Sequence, residues 1–334
     1  MTIADQKAHP RGSIRALDPF RDLEAVVDLI GAAFGDRLDP AGRATLERMR
    51  RFARGGPITQ WVWAFLGRAT AAPGLVWVTD DEIVGNVSIR RARSGGGYLV
   101  GNVVVHPDHR GRGIARALMN RAIKVISRRG AKWVGLEVRV GNDVARGLYE
   151  RLGFREVGRT HHLLRVGGAR EAGRFQPSLP MRRGRRSDAD ALIGVVQDFV
   201  PEEHRPLLEI QPEDYRPSWA RRVDHWLKGE DEIWWVVPED GGTRAGVRTV
   251  RKHGAFPDQM EVLIRPGGGG VLAVELVRLG VASLGSSPNR LIETSVPGTA
   301  DSLVPVLKDE GFQEQRILAQ MKLSLNERVS VLVR

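Results

Sequence analysis

The stretch from Tyr98 to Phe154 constrains the fold of this chain more than any other. A β-branched run, Leu99 to Val105, stops at His106-Pro107, passes through Arg110-Gly111-Arg112-Gly113 and resumes with helical spacing at Ile114, Leu118, Ala122 and Val125. The pattern reads strand, glycine loop, helix. Glycines at 111 and 113 let the backbone curl, so consecutive N–H groups converge at the positive end of the helix, where a phosphate or pyrophosphate is favoured. The Gly-Lys-Ser/Thr ending of a Walker loop is missing, and Gly111, Gly113 and Ala117 do not supply the G-x-G-x-x-G of a dinucleotide site. ATP and NAD are therefore not the expected ligands.

These residues resemble the GCN5-related N-acetyltransferase (GNAT) family. Arg110 to Ala115 matches that family's (R/Q)-x-x-G-x-(G/A) loop for the coenzyme A pyrophosphate, and it follows a Val-x-Pro strand ending at Val105-His106-Pro107. The continuation through Leu136-Glu137-Val138-Arg139, Asn142, Ala145, Leu148-Tyr149 and Leu152-Gly153-Phe154 is similar to the family's second motif. It is most similar to the branch that acetylates protein N-termini, such as the ribosomal-protein alanine N-acetyltransferases.

The resemblance implies a donor, acetyl-CoA, held by the backbone amides of Arg110, Gly111, Arg112, Gly113, Ile114 and Ala115. It also implies that Val103 and Val105 pair their backbone with the pantetheine arm, on a distorted strand where one amide faces the thioester carbonyl. Asn142 most simply caps the helix starting at Asp143, and a contact to the pantetheine is compatible with that. Acyl transfer from a thioester needs a neutral amine and a protonated leaving thiolate. The resemblance places Tyr149, a phenol of pKa ~10, as general acid. Glu137 is the candidate base: strand alternation puts Leu136 and Val138 on one face and Glu137 on the other. An exposed ion pair with Arg139, with water relaying the proton instead, is the competing account of Glu137. His161 and His162 stand where the closing strands line the acceptor side, with structural roles as the simpler reading.

The chain then starts again. Ser13 to Ile30, strand and helix, is echoed by Met181 to Phe199; the hairpin Leu75 to Arg91 by Ile233 to Val250; Leu99 to Pro107 by Met260 to Pro266; and Glu150 to Arg155 by Lys308 to Gln313. Pro266 lies 159 residues after Pro107, and Gly311 lies 158 after Gly153. The near-constant offset predicts a structural repeat. The expected organisation is a tail over 1–12, a catalytic GNAT domain over 13–166, a linker over 167–180, a degenerate GNAT-like domain over 181–325 and a tail over 326–334. The expected fold class is α/β, each domain a mixed, mostly antiparallel twisted sheet flanked by helices. In the second copy, four glycines at 267–270 replace the Arg-x-x-Gly-x-Ala register and Leu307 stands where Tyr149 should. That copy is expected not to catalyse.

Composition narrows the function further. With no cysteine in 334 residues, disulfides, thiolate metal sites and acyl-cysteine intermediates are excluded. A net charge of +11 comes with 44 arginines and only seven lysines. Such a surface suits an anionic donor, and a GC-rich genome accounts for the arginine bias equally well. One Arg-Gly-Arg-Gly between strand and helix is not a disordered nucleic-acid segment, so nucleic acid is not an expected partner. No run approaches the ~20 apolar residues of a membrane span, and the N-terminus lacks an apolar signal core, so a cytoplasmic location is expected and a membrane partner is not. The sequence thus predicts an acetyl-CoA-dependent N-acetyltransferase without a metal, acting on a protein N-terminus or a small amine by direct attack in a ternary complex, with a homodimer left open. A non-catalytic acyl-CoA-binding or scaffolding protein is the alternative.

Overall fold

Period-two alternation interrupted by two aspartates becomes a hairpin: β2 (Ala71–Thr79) and β3 (Glu82–Arg91) join at Asp80 and Asp81, with φ of 49° and 63°. Paired left-handed residues give the turn the right-handed twist of its strands, and aspartate tolerates that conformation. The computed structural model describes residues 12–34, 43, 46–47, 50, 71–167, 175–216, 223, 225, 229–239, 242–252, 256–265, 269–285 and 290–325. Apart from Gly12, the expected tails lie outside these residues, as does much of the linker. Over residues 42–54, where Leu46, Met49 and Phe52 on one face predict a second helix, only four residues are described; among them Leu46 is buried with the apolar face of α1 (Pro19–Phe34).

The fold is α/β with a mixed sheet, mostly antiparallel, and it forms two compact units. Unit 1 comprises residues up to Glu137, Asp143–Arg155 and the chain from Met321. Its strands run in the order β1 (Ser13–Ala16), β2, β3, β4 (Gly97–Val105), β5 (Trp133–Arg139). All pairs are antiparallel except β4 with β5. Helix α2 (Ile114–Arg128) buries Ile114, Leu118, Met119, Ala122, Ile123 and Ile126, a 3.6-residue stripe. The predicted Val125 sits at the stripe's edge, and its neighbour Ile126 is fully buried. Gly85 admits this helix: a Cβ there would lie 3.0 Å from both Ile114 and Leu118. Helix α3 (Asp143–Arg151) completes the unit.

Unit 2 comprises Val138–Asn142 and Glu156–Gln320. Its sheet order is β12 (Gln313–Ser324, to residue 320), β6 (Arg155–Val166, from residue 156), β11 (Leu291–Pro297), β10 (Asp258–Ile264), β9 (Gly242–Lys252), β8 (Glu230–Glu239), β7 (Arg182–Arg183). Its helices are α4 (Ala189–Phe199), α5 (Arg205–Leu208), α6 (Val271–Leu284) and α7 (Leu303–Asp309). The sequence expectation grouped 155–166 with the first domain and 321–325 with the second. From Glu156 onward β6 belongs to unit 2, paired antiparallel with β11 from Thr160↔Pro297 to Val166↔Leu291. Met321–Leu325 belongs to unit 1, where Leu325 N donates to the Lys132 carbonyl at 2.9 Å. Among the described residues no helix is long and apolar enough to cross a membrane.

The repeat is visible in local bonding. In unit 1, Arg15 Nη2 donates to the buried Asp22 at 2.8 Å; in unit 2, Arg182 Nη2 donates to the buried Asp188 at 2.8 Å. Each carboxylate also accepts a backbone N–H, from Asp18 and Arg185 respectively. The arginine hydrogen bond, more than any other contact, holds each aspartate below its usual pKa. Such groups stabilise the fold above the ordinary carboxylate range, and that contribution is lost as pH falls through the depressed folded value. Breaking a fully buried pair costs about 3–5 kcal/mol. Because Arg15 is 37% exposed, solvent screening reduces the expected cost of Asp22→Asn to about 2 kcal/mol at pH 7. Urea unfolding at pH 7 and pH 3 checks this, with the difference between variant and wild type shrinking at the lower pH.

Candidate active site

The glycine loop is built for its conformation. Gly111 and Gly113 have φ of 76° and 81°, which side-chain-bearing residues adopt only at a cost. A Cβ at either position would meet nothing within 4 Å, so the space over the loop is open. Gly113 is the N-cap of α2 and supplies no side-chain cap, which leaves the first-turn amides to an outside acceptor. The arginines brace the loop from beneath: Arg110 Nε donates to the Val105 carbonyl at 3.2 Å and Arg112 Nη2 to the Asp108 carbonyl at 3.0 Å. Ile114 is buried in the core, so at that position only the backbone is available to a ligand. Ala115 is half-buried one residue further along α2.

The strand entering the loop is open on one side. Strand β4 pairs in parallel with β5 from Gly97↔Trp133 to Val100↔Leu136, and there that pairing ends. Among the described residues Gly101 to Val105 pair with β3 alone, so the other backbone edge at Val103 and Val105 carries no strand, with the Val105 carbonyl accepting from Arg110 Nε. Both valine side chains are half-buried. The free edge has a one-residue bulge: between Asn86↔Val104 and Ser88↔Gly101, β3 advances two residues and β4 three, with Asn102 at φ 48°.

Glu137 follows the last β4–β5 pair and is exposed, while Leu136 and Val138 are 2% and 5% exposed, as the alternation predicts. Tyr149 lies on α3, 6% exposed, its ring edge-on to Phe154 at 6.0 Å. Burial pushes its phenol from the ordinary 10 up to about 12. The helix ends in a corner set by Gly153 at φ 90°, with Phe154 N donating to the Tyr149 carbonyl at 3.0 Å. Unit 2 builds the same corner from Gly311 at φ 86° and Phe312 N donating to the Leu307 carbonyl at 2.9 Å, and Leu307 is fully buried. Asn142, exposed, falls in unit 2 and donates its backbone N–H to the Arg139 carbonyl at 3.0 Å.

His161 and His162 belong to unit 2. His161 Nδ1 lies 2.5 Å from Glu314 and its Nε2 3.1 Å from Asp301; His162 Nδ1 bonds Ser295 Oγ at 3.0 Å. A cavity of about 370 Å³ within unit 2 is lined by His162, Arg248, Gln259, Glu261 and Glu293 among others, and includes none of the residues expected to bind acetyl-CoA or to move protons. The resemblance implied a distorted strand here, but sequence reasoning did not single out Asn102 as its site or the polar residues Asn86 and Ser88 facing it. Their signal was a pair of polar positions in an otherwise apolar strand, opposite a Gly-Asn break in the next.

Comparison with known proteins agrees with this architecture. Residues 43–154 match the family model for the acetyltransferase (GNAT) family. Among solved structures, a GCN5-related N-acetyltransferase from Sphaerobacter thermophilus aligns over 97% of both chains at 20% identity, with a TM-score of 0.62. A tandem GNAT protein from the clavulanic acid biosynthesis pathway aligns over 94% of this chain and 98% of its own at 15% identity, with a TM-score of 0.56. At these identities the structural likeness is one of fold.

Proposed function

With a GNAT-family domain over residues 43–154 as the premise, we propose that this chain transfers acetyl from acetyl-CoA to an amine, using the groups of unit 1. The observation that carries this reading is the open, uncapped glycine loop at the head of α2, directly after a strand whose backbone edge is free. That combination accepts a pyrophosphate at one end and an extended amide-bearing arm along the other.

Acetyl-CoA supplies the activated thioester. The backbone amides of Arg110 to Ala115 hold its pyrophosphate, and the free edge at Val103 and Val105 orients the arm. Glu137, on the solvent face of β5, takes a proton from the attacking ammonium, directly or through water. Tyr149 keeps its proton at every working pH because burial raises its pKa, so it serves as a donor to the departing sulfur. A protein N-terminus fits the Leu-Glu-Val-Arg run, and a small amine is the other acceptor class. Unit 2 lacks the phenol, with buried Leu307 in its place, and is assigned a supporting role.

Calorimetric titration with acetyl-CoA, followed by amine-dependent release of the free thiol, tests this reading. The expected result is one equivalent bound per chain and thiol release that requires an amine. Absence of binding would remove the enzyme reading.

A further inference from the structure

We propose that Asn86, Ser88 and Asn102 are positioning residues: their side chains lock the β4 bulge so that its free-edge amides face the acyl carbonyl. This rests on the acetyl-transfer reading above. Asn86 Nδ2 donates to the Asn102 carbonyl at 2.9 Å and lies 3.4 Å from Ser88 Oγ, which also accepts from Asn102 Nδ2 at 3.2 Å. The three side chains therefore close a ring across β3 and β4 at the extra residue.

Three observations tie the ring to the site instead of to stability alone. First, it sits just beyond the last β4–β5 pair, between that point and the Val103–Val105 edge. Second, Asn102 is held at φ 48°, a left-handed conformation that glycine, asparagine and aspartate tolerate and β-branched residues resist. The left-handed residue re-aims the backbone that follows it, so the direction of the Val103 amide depends on it. Third, Asn86 is fully buried and its Oδ1 has no hydrogen-bond partner among the described residues. An unmet buried acceptor is a net cost to folding. An apolar side chain of similar size avoids that cost, but it cannot hold the Asn102 carbonyl. Strained or imperfectly satisfied groups gather where geometry serves function. Charge develops on the acyl oxygen during attack, and fixed amides aimed there need no reorganisation.

The experiment uses the full chain and the variants Asn86→Leu, Asn102→Val and Asn102→Gly, with three readouts: kcat, the Kd ratio of CoA to acetyl-CoA, and the thermal midpoint. Asn86→Leu is expected to lower kcat about 10–100-fold, because misplacement by about an ångström costs about that much. It should also erase any preference for acetyl-CoA over CoA, keep CoA affinity within about threefold and leave the midpoint at or above that of the wild type. Asn102→Val, which loses both the bond to Ser88 and the left-handed conformation, should fall at least as far in kcat, whereas Asn102→Gly, which loses the bond but adopts that conformation freely, should fall between Asn102→Val and the wild type. Unchanged kcat and unchanged preference in Asn86→Leu would overturn the proposal. A parallel fall in kcat, CoA affinity and midpoint would overturn it too, by showing a purely structural role. If the wild type binds acetyl-CoA but shows no turnover, the Kd ratio decides the proposal alone. If the wild type binds neither thioester nor thiol, the acetyl-transfer reading itself has failed.

Discussion

Gly113→Glu should abolish measurable acetyl-CoA binding, a loss of at least about 100-fold, while Gly113→Ala should retain it within about tenfold. Both variants place an L-residue at φ 81°, which costs about 1–2 kcal/mol. Neither Cβ meets another atom within 4 Å, so the alanine variant carries only the conformational cost. The glutamate adds a carboxylate in the space assigned to the pyrophosphate. Two unit charges about 5 Å apart at an effective dielectric of 20 repel by about 3 kcal/mol, which is about two orders of magnitude in affinity for each phosphate charge. Calorimetry on the two variants separates charge from strain. Equal binding by wild type and Gly113→Glu would place the donor elsewhere.

Tyr149→Phe is expected to lower kcat about 100-fold and leave the KM for acetyl-CoA within about threefold. Loss of a general acid costs about 10²–10⁴ in rate. The lower end fits a phenol raised to about 12, because full transfer to a thiolate in the ordinary thiol range of ~8.5 runs uphill and much of its effect is hydrogen bonding. Phenylalanine keeps the edge-on contact with Phe154, so folding should change by less than about 1 kcal/mol. The raised pKa also fixes the pH behaviour. Below about pH 10 the phenol is neutral in both folded and unfolded chains. As pH rises from 10 to 12 the unfolded phenol ionises first, so stability falls by roughly 2–3 kcal/mol from this group, and Tyr149→Phe removes that part of the decline. The wild-type rate profile should accordingly lack a falling limb due to Tyr149 below about pH 11. A tyrosine-linked limb near pH 9 would contradict the burial.

The features carried by short-range pattern were legible in the sequence. Asp80-Asp81 between alternating strands specified a hairpin, Gly111 and Gly113 specified left-handed turns before a helix, and the alternation around Glu137 specified its face. The equivalence of Tyr149 with Leu307 followed from the Leu-Gly-Phe and Glu-Gly-Phe corners, which bond alike in the two units. What the sequence left hidden depends on partners far along the chain. Asn86 looks like an interruption of a strand until the bulge opposite it is known. The grouping of β6 with unit 2 is decided by its pairing with β11, more than a hundred residues later, which no local pattern encodes. The opening strand of the second copy is short, with Arg182 and Arg183 paired to β8.

The traded strand ends set an order of assembly. A ribosome completes the glycine loop and Tyr149 long before it reaches Met321–Leu325, yet those late residues belong to unit 1, with Leu325 bonded to Lys132 and Lys322 lying over the Trp133 ring at 6.0 Å. The half of the chain made first is thus finished last. The acetyl transfer proposed for unit 1 thus waits on residues 321–325, and a chain that stops before them carries the glycine loop without the strand end that completes its unit.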